Sequence, residues 1–267
     1  MSKDLSSKNV QVHSTSNLER LAKALALIVG TIGLFFTGQI IGIYLIVAVL
    51  TLLGRDTSAI DSLLTDSPAM QFVAILCIEA ITLGGLWWLH SLRKQPFLKT
   101  VGLESRPKIK YLGYAGITYG LYFLTLLVTV AIATNLITGL DVNQAQELGF
   151  DSAKGFDLVF VFLALVVLPP IAEEILFRGF LFSRLKTQIG VYAAAIITST
   201  IFALAHTEFL GDNPLNWIAA LDTFVFSFFL ILLYVKTKSL WPSILLHAIK
   251  NCLAFVLLFL IKKSIVS

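Results

Sequence analysis

Apolar runs of about 20 residues recur along almost the whole chain, and a run of that length has few destinations. Seven can be counted: Ala22–Leu53, Ala69–His90, Tyr111–Ile137, Phe156–Phe182, Val191–Phe209, Trp217–Val235 and Leu240–Ile261. Of the 267 residues, 57% are hydrophobic and 13% charged, where a soluble domain carries about 25% charged residues. A water-soluble fold of this size could not hide so much apolar surface, but a bilayer can. The chain therefore reads as an all-α polytopic integral membrane protein of about seven transmembrane helices.

Charge placement gives an orientation. Lys3, Lys8, Arg20 and Lys23 open the chain; Arg93, Lys94, Lys99, Arg106, Lys108 and Lys110 fill the second loop; Arg184 and Lys186, then Lys236 and Lys238, follow the fourth and sixth runs. The alternate loops carry Asp56, Asp61, Asp66, Asp141, Glu147, Asp151, Glu208 and Asp212. The positive-inside rule then sets the N-terminus in the cytoplasm. Lys262 and Lys263 run against that rule at the far end. The net charge of +4 argues for no nucleic-acid partner. Cys77 and Cys252 stand alone in apolar stretches and form no metal or disulfide pattern.

Residues 1–21 read as a polar cytoplasmic tail. Residues 22–110 form a leading two-helix block with its basic loop, and residues 111–267 a membrane core. The first run is far longer than a signal peptide's apolar region of about 7–15 residues, and Gly38 and Gly42 are places where it could bend. Trp87 and Trp88 are interfacial anchors, and His90 and Asp222 read as interfacial. Glu79, inside the second run, could be part of a polar path or a packing contact.

Ionisable groups in a bilayer cost a few kcal/mol each on the mildest scale, and three clusters keep them. In Pro169-Pro170-Ile171-Ala172-Glu173-Glu174-Ile175-Leu176-Phe177-Arg178, two prolines remove backbone donors and free carbonyls near Leu165 and Val166. This predicts a broken helix, with Glu173 and Glu174 near the start of its second half. Glu174 and Arg178, at i and i+4, can pair, while Glu173 points about 100° away and stays free. The second cluster is Phe202-Ala203-Leu204-Ala205-His206. The third, His247-Ala248-Ile249-Lys250-Asn251, places His247 and Asn251 on one helix face. Peptide hydrolysis needs a base for water and donors for an oxyanion, and this set supplies both. Measured from the start of the fifth run, His206 lies toward the outer side and could sit well above Glu173, unless that run starts later or the site lies near the midplane.

The ordered set Glu173-Glu174-x-x-x-Arg178, Phe202-x-x-x-His206 and His247-x-x-x-Asn251 resembles the CPBP family, which comprises type II CAAX prenyl endopeptidases and the bacteriocin-processing or immunity-related Abi proteins. The resemblance spans Phe156–Ile261. It implies that Glu173 activates water, that Glu174 with Arg178 holds the geometry, that His206 orients the water or Glu173, and that His247 and Asn251 form the oxyanion hole. Family members have also been viewed as metalloproteases. Zinc would then fall to Glu173, His206 and His247, although no HExxH motif is present. A metal-independent mechanism is the expectation. The partners implied are a membrane-associated or lipidated peptide or protein and the bilayer itself, in the plasma membrane of a prokaryote. A silent relative acting as a scaffold or immunity protein, and an ion-coupled transporter, are the competing classes.

Overall fold

The computed structural model describes residues 16–138, 140, 149–207 and 216–262. His13, Lys3, Lys8, Asp141, Glu147, Glu208, Asp212 and Lys263 lie outside the described residues, as does the side chain of Lys262. No strand occurs among the described residues. The chain is an all-α, polytopic membrane protein.

The helices, in order, are α1 (Asn17–Leu52), α2 (Thr57–Asp66), α3 (Pro68–Leu92), α4 (Phe97–Thr100), α5 (Lys110–Leu136), α6 (Asp157–Phe162), α7 (Leu168–Glu173), α8 (Ser183–Ile189), α9 (Val191–Ala205), α10 (Trp217–Thr237) and α11 (Trp241–Phe255). Three π-helical segments join this set: Leu163–Val167 between α6 and α7, Glu174–Phe182 between α7 and α8, and Val256–Lys262 after α11. Among the described residues six helical stretches are long and apolar enough to cross a membrane, and the column Asp157–Ile189 is one of them. The seventh apolar helix, α9, has 15 residues and rises only about 22 Å. The expected span Val191–Phe209 is thus shortened, because α9 ends at Ala205.

Helix α1 begins at Asn17, inside the stretch expected to be tail. The cause is an N-cap: Ser16 Oγ accepts the N–H of Glu19 at 3.2 Å. Lys23 then pairs with Glu19 at 2.6 Å. The helix runs for 36 uninterrupted residues, so Gly38 and Gly42 end no segment. They let α3 approach: an added Cβ would overlap Thr82 Oγ1 at Gly38, and would lie 2.7 Å from Ile78 at Gly42. This is the close packing of a GxxxG stripe. Helix α2 is a short outer element capped by Asp56, which accepts the Ala59 N–H at 2.8 Å. That bond holds the Asp56 carboxyl below its ordinary range.

The basic loop is bound to the later helices. Val101 is fully buried and leaves Gly179 no room for a Cβ, which would fall 2.9 Å from Val101 Cβ. Gly102 carbonyl accepts the Leu240 N–H at 2.9 Å, and Trp241 Nε1 donates to Ser105 carbonyl at 2.7 Å. The main core surrounds the glutamate column, with Phe177, Leu181, Phe182 and Leu185 packed among α1, α3, α9 and α10. His90 is buried there too. Its Nδ1–H donates to Leu86 carbonyl at 2.8 Å, and its Nε2 accepts from Arg184 at 2.9 Å.

Candidate active site

The Pro169-Pro170 pair does not break the fourth span. Helical backbone continues from Asp157 to Ile189, widened into π turns on both sides of α7. The freed carbonyl is real, however. In a regular helix the N–H at position 169 would serve Leu165 carbonyl. Here Asn251 Nδ2, from α11, donates to that oxygen at 2.8 Å. Glu173 and Glu174 therefore sit mid-column, and not at the first turn of a restarted helix.

Glu174 and Arg178 are both fully buried and pair at 2.8 Å. The second guanidinium arm, Nη2, donates to Ser227 Oγ on α10 at 2.7 Å. The guanidinium plane lies 4.1 Å from the centroid of the Phe202 ring. A buried charge needs this density of partners. Glu174 Oε1 also accepts from His247 Nδ1 at 3.0 Å. One carboxylate thus locks three helical segments together, and it fixes the imidazole of His247.

Glu173 faces the other way, into a cavity of about 550 Å³ lined by Phe202, His206, Phe226, His247, Lys250 and Asn251 among others. Its Oε2 is 3.6 Å from His206 Nε2 and 3.8 Å from His247 Nε2. Both rings are held by their other nitrogen. His206 Nδ1 lies 2.8 Å from Phe202 carbonyl, which can only accept, so Nδ1 carries a proton. His247 Nδ1 likewise donates to Glu174. Both Nε2 atoms are left turned toward Glu173.

His206 meets Glu173 and does not sit above it, and the reason is a hairpin. Gly190, at φ 84°, turns α8 into α9. Glu173 lies 17 residues before Gly190 and His206 lies 16 after it. At equal rise per residue the two side chains reach the same level. All six candidate residues, Glu173, Glu174, Arg178, His206, His247 and Asn251, therefore converge. The proposed metal set, Glu173, His206 and His247, meets in the cavity, yet among the described residues no group of three or more His, Cys, Asp or Glu side chains is arranged to hold a metal ion.

Three cavity features escape a reading of the sequence. Lys250 pairs with Asp222 at 2.8 Å, and Tyr122 donates to the same carboxylate. Asp222 thus stands in the cavity wall. Ser227, which receives Arg178, was the third. Its only sequence signal is a small hydroxyl in an otherwise apolar turn.

Comparison with known proteins falls on the same segment. Residues 155–253 match the model of the Rce1-like family, described as type II CAAX prenyl endopeptidase Rce1-like. "Putative membrane peptidase YdiL" of Bacillus subtilis (strain 168) is 31% identical over 91 residues, 34% of each chain. The chain thus spans about a third of that relative's length. "Uncharacterized protein YyaK" of the same organism is 24% identical over 237 residues, 87% of this chain and 76% of the relative. No solved structure matches. Residues 155–253, which contain all six converging side chains, thus carry the type II CAAX prenyl endopeptidase, Rce1-like signature that the three motifs resemble.

Proposed function

We propose that this chain is a membrane endopeptidase in which Glu173 activates water against a peptide carbonyl. The observation that carries this reading is the unequal treatment of two adjacent carboxylates. Glu174 is buried and spent on Arg178 and His247, while Glu173 faces a cavity and two imidazoles.

The chemistry balances with the protein's own groups. Glu173 takes one proton from water as its oxygen bonds to the carbonyl carbon. The resulting oxyanion is met by His247 and by the second amide hydrogen of Asn251. The carbon–nitrogen bond then breaks, and the leaving amine takes the proton held by Glu173. Glu174 with Arg178 positions His247, and His206 orients the water or Glu173. The Leu165, Phe226, Phe255 and Leu258 side of the cavity suits an apolar or lipidated peptide. The reading is metal-independent. It includes a plasma-membrane location in a prokaryote, a cytoplasmic N-terminus, and a division into a leading block (22–110) and a catalytic core (111–267).

The test is an N-terminomic comparison of membranes containing wild-type or Glu173→Gln protein. Neo-N-termini present only with the wild type, and insensitive to chelators, support the reading. Identical termini remove it in favour of a silent scaffold or immunity protein, and proton-coupled flux in liposomes would move the chain to the transporters.

A further inference from the structure

A second cavity lies apart from the glutamates, at the end of the molecule that carries the basic loop. Its volume is about 480 Å³, and α1, α3 and α8 line it. Lys23, Leu27, Gly30 and Leu34 fall on one face of α1, and Leu89 and Arg93 on one face of α3. Arg184 completes the charged rim. From Lys23 to Leu34 the groove descends about 16 Å along the helix, from a cationic mouth to an apolar floor.

The cations are held in place without acids to balance them. Arg184 is fixed by His90 Nε2 at 2.9 Å and Gln95 Oε1 at 2.8 Å, both through Nη2, and it stacks on Phe180 at 4.7 Å. Its buried Nε has no partner. Arg93 stands close enough for the two guanidiniums to repel. Among the described residues neither forms an ion pair with a carboxylate; only Lys23 does, with Glu19. An anion at the mouth relieves that repulsion. An apolar tail suits the floor, where Gly30 faces open space and an added Cβ meets nothing within 4 Å.

We propose that this groove binds an anionic phospholipid, with its phosphate between Arg93 and Arg184 and one acyl chain along Leu27, Gly30 and Leu34. Basic pockets between membrane helices have the chemistry for such headgroups. The site shares no residue with the glutamate cavity, so it stands or falls independently of the protease reading.

The test uses full-length protein released from mixed phosphatidylcholine–phosphatidylglycerol micelles into native mass spectrometry. Wild type is expected to retain phosphatidylglycerol preferentially, by roughly fivefold per contributing cation. Arg93→Gln should reduce that preference. Gly30→Phe should abolish retention by filling the floor while thermal stability stays unchanged, which separates blockade from misfolding. Equal retention of both lipids overturns the proposal. So does unaltered retention in Gly30→Phe, and so does displacement of the lipid by millimolar inorganic phosphate, which would mark a headgroup-only anion site.

Discussion

Asn251 on α11 donates its side-chain amide to Leu165 carbonyl at 2.8 Å, the oxygen that Pro169 deprives of a helical donor. A residue expected to serve chemistry therefore also repairs the backbone of the helix that carries the base. The two roles can be separated, because the amide has two hydrogens.

Asn251→Ala should cost about 1–3 kcal/mol, the penalty of a buried carbonyl without a donor, read as a lower Tm in detergent. The double variant Pro169→Ala with Asn251→Ala returns an N–H at position 169 and should recover most of that stability. Peptide cleavage should remain impaired in the double variant. If cleavage returns with stability, Asn251 is a structural group only.

The adjacent glutamates should respond oppositely. Glu173→Gln is expected to lower kcat by about 10²- to 10⁴-fold, the range for a positioned base, with little change in Tm. Glu174→Gln leaves Arg178 buried without its counter-ion and should cost about 3–5 kcal/mol. Thermal melts of both variants, alongside single-turnover cleavage, check the contrast.

Glycines should divide by what surrounds them. Gly42→Val forces α1 from Ile78 of α3 and should destabilise by about 1–3 kcal/mol, as overpacking does. Gly30→Ala meets open space and should be neutral or slightly stabilising. Urea or thermal unfolding of the pair in one detergent decides this.

Gly190 takes φ 84° and touches nothing a Cβ would strike. Its replacement by Ala should still cost about 1–2 kcal/mol, because an L side chain is strained in that conformation. It should also lower cleavage without altering any cavity residue, since Gly190 sets the level at which His206 meets Glu173. Activity normalised to folded protein is the measurement.

Hydropathy and the order of the polar motifs made most of this fold legible. Run lengths identify the six long helices, and the six converging polar side chains stand out because they fall in three spaced motifs, Glu173-Glu174-x-x-x-Arg178, Phe202-x-x-x-His206 and His247-x-x-x-Asn251, on separate apolar runs. Other features were hidden for physical reasons. Pro169 and Pro170 imply a break only if lost donors go unreplaced, and here π turns and Asn251 replace what they remove. His206 was measured from the start of its run, although a hairpin is levelled from its turn, and Gly190 marks that turn in the sequence itself. The Tyr122–Asp222–Lys250 contact joins three helices, and Tyr122 and Asp222 are 100 residues apart. No local pattern encodes a meeting over that distance.

The shortness of α9 carries a consequence for the solvent. A helix rising about 22 Å cannot match a hydrocarbon layer of about 30 Å. Lipid beside α9 must thin, or polar material must fill the difference. Either way the aqueous boundary is drawn down toward His206, where the helix stops. A hydrolase set in a bilayer has to import water, and on the proposed reading the short α9 would bring that water toward Glu173. Turnover in bilayers of graded acyl length should accordingly fall as the membrane thickens.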